Sequence, residues 1–136
     1  FSIGKAAVPM ANAAQSVLGG RIKNGLVVTK YGHKKGFSSE YFETIEAAHP
    51  VSDENSALAA EKAISIAKSL KEGDALLVLL SGGGSALFEK SVLNEETQRD
   101  ITKKLLSRGV KYFHHPVEKD CILPLYFLNF NIHLYF

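Results

Sequence analysis

Ser81-Gly82-Gly83-Gly84-Ser85 interrupts two apolar stretches and is the first place to look for chemistry. Consecutive glycines let backbone N–H groups converge without Cβ clashes, and such nests hold the oxygens of phosphates or carboxylates. The hydroxyls of Ser81 and Ser85 could donate further hydrogen bonds. A tight turn with closely packed backbone is the competing reading. The loop is not of the Walker type, because no Gly-Lys-Ser/Thr follows at the required spacing, and no dinucleotide fingerprint is present.

Lys5 is the second candidate. It stands at a strand-to-helix turn, where the positive end of a helix already attracts anions, and could neutralise a phosphate or carboxylate. Lys30 stands similarly after a strand, although Lys34 and Lys35 make a plain basic loop an equal reading. His49, before Pro50 and the acidic "SDE", could orient a substrate hydroxyl or act as a general base; a structural histidine is the commoner outcome. Asp53 could coordinate Mg²⁺, with helix capping the stronger reading. His114-His115 lies near Glu118 and Asp120, but adjacent histidines share neither a helix face nor a strand side, which argues against a metal site.

These residues need elements to place them. Residues 1 to 3 read as the end of a strand, and an alanine-rich helix is expected from about Ala6 to Leu18, closed by Gly19-Gly20. Leu26 to Thr29 is a β-branched strand, and Thr44 to Ala47 a weaker one ended by His49-Pro50. Ser52 or Asp53 caps a helix running to about Lys71, with Gly73 as C-cap and a stripe of Ala60, Ile64 and Ala67 beside Ala63 and Leu70. Ala75 to Leu80 is unbroken and apolar, the pattern of a central strand covered on both faces. Asn94, Glu95 and Glu96 open a last helix ending at Gly109.

This alternation predicts an α/β domain with a mostly parallel sheet and flanking helices, layered in a Rossmann-like way. Ligands in such folds sit outside the carboxyl ends of the strands. Gly4-Lys5, Thr29-Lys30, His49-Pro50 and Ser81 to Ser85 all fall there, so four loops are expected on one edge. After Gly109 the character changes. Residues 110–136 hold seven of the thirteen aromatics and no glycine, which predicts a boundary between a domain at 1–109 and a divergent tail.

The 136 residues favour one domain, and a net charge of +2 is too mild to argue for nucleic acid or membrane. One cysteine, Cys121, excludes an internal disulfide and suits a reducing cytoplasm. No signal peptide or membrane span is visible. The chain starts at Phe1 in what reads as a strand already in progress, so sequence before it is expected.

The stretches "GKAAVPMA", "GLVVTKYGH", "IEAAHPVSDENS" and "LLVLLSGGGSALFE", in this order and spacing, resemble the N-terminal domain of the glycerate 2-kinase family, whose second domain is called MOFRL. The resemblance spans residues 1 to about 109. It implies ATP-dependent phosphorylation of D-glycerate at its 2-hydroxyl, with Mg²⁺. It also implies that Lys5 belongs to the active site and that Ser81 to Ser85 contact substrate or phosphate, with His49 and Asp53 in the matching "HPVSDE" segment. The family's Arg-Lys-His cluster, its "KGG" stretch and its second domain have no counterpart in this chain. Half of a site that lies between two domains is therefore expected to be missing, the domain incomplete and the chain inactive alone; the alternative reading is a non-catalytic α/β module that binds a small phosphorylated or carboxylated metabolite.

Overall fold

The β-branched and aliphatic run after Asn24 becomes a strand because its side chains can be buried on both faces of a sheet. In the computed structural model, which describes residues 1–91, 93–108 and 133–135, this strand is β2 (Gly25–Lys30), with Leu26, Val27 and Val28 fully buried. It pairs in parallel with β1 (Ser2–Ile3) and with β3 (Phe42–Ala47), and β1 pairs in parallel with β4 (Leu77–Leu80). The order is β3-β2-β1-β4, all parallel, and β5 (His133–Tyr135) adds to the outer side of β4, again in parallel. The expected mostly parallel α/β architecture is what forms.

Helices cover the two faces. Helix α1 (Ala7–Leu18) buries Ala7 and Ala11 against Val27, with Phe37 completing that layer. Pro9 is harmless in its first turn, where N–H groups have no intrahelical acceptor. Helix α2 (Glu54–Lys68) lays Ala59 and Ala63 on the opposite face, against Ile3, Leu26, Val28, Ile45 and Ala47. Leu87, fully buried in the four-residue helix α3 (Gly84–Leu87), seals the same layer. Helix α4 (Glu95–Ser107) is capped by Asn94, whose side chain accepts from the Thr97 N–H at 2.8 Å.

Three details differ from the sequence expectation. Helix α2 ends at Lys68, and Gly73 (φ +87°) instead serves the turn in which Asp74 N–H donates to Lys71 O. The buried stripe of α2 is Ser56, Ala59, Ala60 and Ala63, because the sheet lies nearer the start of the helix. Strand β4 is also less covered than its apolar run suggested. Only Val78 is buried and Leu80 is 47 % exposed, since α1 lies over β1 and β2 and α2 over β2 and β3. The region after Gly109, with the His114-His115 cluster and the expected domain boundary, falls almost wholly outside the described residues.

Candidate anion site at the carboxyl edge

The chain leaves β1 through α1 toward β2 on one side, while β4 lies on the other, so the strand order reverses between β1 and β4. Crevices at such switch points, beyond the strand carboxyl ends, are where parallel α/β folds hold ligands. Gly4-Lys5 follows β1 and Ser81-Gly82-Gly83 follows β4. The two loops are bonded to each other. Ser81 N–H donates to Ile3 O at 2.9 Å and Lys5 N–H to Gly82 O at 2.9 Å. The Ser81 hydroxyl accepts from Ala6 N–H at 3.0 Å and donates to Ile3 O at 3.3 Å. Gly4, at φ +118°, permits this approach: a Cβ there would lie 2.2 Å from Ser81 Oγ and 2.5 Å from Ser81 O.

Around this junction the candidate side chains meet. A Cβ on Gly83 (φ +88°) would stand 3.0 Å from His49 Cδ2, 3.1 Å from its Nε2 and 3.4 Å from Lys5 Cε. Lys5 and His49 therefore flank the middle glycine. Burial pushes the His49 imidazole below its ordinary value, and the neighbouring ammonium groups of Lys5 and Lys30 push it the same way. The ion pairs Lys23–Asp74, Lys62–Glu43 and Lys90–Glu61 involve neither Lys5 nor Lys30. From Gly82 to Ala86, no backbone N–H donates to an acceptor among the described residues. Unneutralised cations beside a run of unused N–H donors make an electropositive cradle suited to an anion. Lys5, His49 and the glycine loop are thus brought together, with the Lys30 charge felt by His49 from the end of β2. Ser81 is in the cradle with its hydroxyl engaged in joining the loops, and Ser85 is exposed in the first turn of α3.

Asp53 has a different part. It caps α2, accepting from Ser56 N–H at 3.1 Å and Ser56 Oγ at 3.1 Å through Oδ1, in a reciprocal capping box. Its Oδ2 accepts from the Tyr31 hydroxyl at 2.7 Å. Burial alone would raise its pKa, but hydrogen bonds from Tyr31, Ala48 and Ser56 outweigh that and hold the carboxyl below its ordinary value. Tyr31 and Asn55 are absent from the sequence-derived site. The signal available was their placement, Tyr31 directly after Lys30 and Asn55 inside "SDENS". A separate polar cleft of about 120 Å³, lined by Ser52, Glu61, Glu89, Gln98 and Arg99 among others, touches Asp53 but none of the cradle residues. Glu89 in it is raised by burial, against hydrogen bonds from Ser52 and Gln98.

Residues 1–113 match the family described as Domain of unknown function (DUF4147). The chain belongs to that family. It is 48 % identical over 111 residues to D-glycerate 2-kinase of Thermotoga maritima, covering 79 % of this chain and 26 % of the relative. It is 41 % identical over 113 residues to glycerate 2-kinase of Pyrococcus horikoshii, covering 82 % and 25 %. The crystal structure of a glycerate kinase from Thermotoga maritima superimposes with a TM-score of 0.72 at 45 % identity, over 81 % of this chain and 27 % of that one. The resemblance read from the four motifs therefore holds, and this DUF4147 chain spans about a quarter of the length of these relatives. No helix among its described residues is long and apolar enough to cross a membrane.

Proposed function

We propose that this chain supplies one wall of an enzyme that phosphorylates D-glycerate from ATP, giving 2-phosphoglycerate and ADP. The observation that carries the reading is the convergence of Lys5, His49 and Gly83 at the β1/β4 switch point, in a chain 48 % identical to a D-glycerate 2-kinase. In the reaction a bond forms between the 2-oxygen of glycerate and the γ-phosphorus, and the bond from that phosphorus to the β–γ bridging oxygen breaks. The 2-hydroxyl proton is released to water as ADP leaves. Such transfers ask a protein for positioning and charge neutralisation more than for covalent chemistry.

Lys5 and the N–H groups from Gly82 to Ala86 suit that task, holding anionic oxygens through fixed dipoles and one mobile charge. Lys30 adds a second charge at the rim. His49, held toward its neutral form, can exchange hydrogen bonds with a ligand oxygen. Mg²⁺ supplies phosphate charge neutralisation in reactions of this class. Among the described residues no group of three or more His, Cys, Asp or Glu side chains could hold a metal, and both Asp53 oxygens are engaged. The proposal includes a cytoplasmic setting, in keeping with the single Cys121.

Because the chain spans about a quarter of its relatives, a second domain is proposed to complete the site. The chain alone is then expected to bind a small phosphorylated or carboxylated metabolite without turnover. Calorimetry with ATP, D-glycerate and 2-phosphoglycerate, alongside a phosphoglycerate-forming assay, tests this. Binding without turnover is the expected result. Robust turnover by the chain alone would remove the need for a second domain, and no binding of any ligand would remove the cradle.

A further inference from the structure

The imidazole of His49 is half-buried and makes no hydrogen bond among the described residues, on either ring nitrogen. Its Nε2 lies 3.1 Å from the place a Cβ on Gly83 would take, and Lys5 Cε lies 3.4 Å from the same place. The ring therefore meets the glycine run whose N–H groups, from Gly82 to Ala86, are unused. The charges that act on it are Lys5, from the loop after β1, and Lys30, from the end of β2. The glycine loop carries no titratable side chain, and Asp53, four residues along, has its oxygens engaged by Ser56 and Tyr31. In the free chain a proton on His49 would stand beside cations with no carboxylate to offset them. A dianion seated on the glycine N–H groups reverses the sign of that field.

We propose that the cradle takes up a proton together with its anion: as the two negative charges of a phosphate group settle on the glycine loop, His49 becomes an imidazolium and holds an oxygen beside Lys5. The proton comes from water and adds to the free lone pair of the ring, and no bond of the anion changes. This rests on the cradle reading above and names its ligand class, a dianionic phosphate or phosphate monoester in preference to a lone carboxylate. A carboxylate brings one charge, which Lys5 already matches. A phosphate brings two, and the proton on His49 matches the second.

Linkage fixes the sign. The bound chain holds more protons than the free chain, so affinity rises as pH falls through the bound-state midpoint of His49. It levels off below the lowered midpoint of the free chain. Sulfate is the probe, because it keeps both charges across the histidine range, whereas phosphate monoesters titrate there. Calorimetry on the full chain is expected to show sulfate bound about tenfold more tightly at the acidic end of that range than at the alkaline end. An NMR titration is expected to place the His49 midpoint higher with sulfate than without. His49→Gln, which keeps a donor but cannot gain charge, is expected to bind with the weaker affinity at every pH. Lys5→Met is expected to weaken binding throughout and yet keep the pH dependence, which separates the two cations. D-glycerate is expected to vary less than about threefold over the same range.

A pH dependence that survives in His49→Gln, or a His49 midpoint that sulfate leaves in place, would overturn the proposal. Competition by 2-phosphoglycerate and by ATP tells a product phosphate from a nucleotide phosphate. Displacement of sulfate by either supports the ligand class, and displacement by neither overturns it. Sulfate binding that ignores pH defeats the proposal alone, whereas no sulfate binding at any pH defeats the cradle reading and the proposal with it.

Discussion

The two halves of the carboxyl edge are built by different means. At β1 and β4 the loops after the strands are joined by backbone hydrogen bonds and by the Ser81 hydroxyl, and Gly4 lets them touch. At β2 and β3 a single backbone bond, Tyr31 N–H to Ala47 O, is supplemented by side chains, through Tyr31, Asp53 and Asn55. Backbone-to-backbone contact leaves no room for adjustment, whereas a side-chain latch can loosen without unfolding the strands beneath it. The first half is suited to hold an oxygen in one place.

The sharpest way to break this contrast is Gly4→Ala. The new Cβ would overlap Ser81 backbone and hydroxyl at a φ of +118°, so a loss of about 3 kcal/mol or more is expected, or failure to fold. For a domain of this size that is a fall of roughly 10 °C in thermal midpoint. A midpoint close to the parent's would show that the two loops are not held rigidly together.

On the other half, Asp53→Ala removes the cap of α2 and the latch acceptor, with an expected loss of about 1–2 kcal/mol in chemical denaturation. The folded-state pKa of Asp53 is depressed, so its contribution is present above the ordinary carboxylate value and is lost as pH falls through the folded value. The two proteins should converge in stability on the acid side. A gap that persists there would assign the effect to packing instead of the charged cap.

Lys5→Met tests function apart from stability. Lys5 is exposed and makes no ion pair among the described residues, so stability should change by less than about 0.5 kcal/mol. Phosphate or glycerate binding should fall about tenfold or more, read by calorimetry. Unaltered binding would move the anion away from the β1/β4 junction.

The smallest effect concerns His49. Its folded-state pKa lies below the unfolded one, so the unfolded chain binds the proton first. Stability is therefore lost as pH falls through the ordinary histidine value, and the loss is complete below the lowered folded value. His49→Gln should flatten stability against pH in that window. An unchanged slope would place the titration elsewhere.

Much of the fold was legible because it is written in local patterns. "GLVVTK" can satisfy its side chains only in a covered strand, and Asp53 before "ENSALAA" is a cap wherever the helix packs. The glycine run marked the cradle, since only glycine relieves the crowding at Gly4 and Gly83. The end of α2 and the coverage of β4 were not legible, because they depend on which strands the helices come to rest on. Tyr31 was missed for a related reason. Its partner is twenty-two residues away, and nothing in the composition of either segment says that their loops will meet.

Residue types alone determined the strand and helix rhythm, the glycine-lined turn and the presence of Lys5, Lys30 and His49 at strand ends. The tertiary structure decided which of those ends are neighbours. Strand order puts β1 between β2 and β4, and only that order sets Lys5 beside Gly83 and lets the β3 loop deliver His49 to the same point. Side-chain chemistry is carried by each residue wherever it goes. Convergence is a property of the sheet, fixed by long-range pairing that no short stretch of the chain encodes.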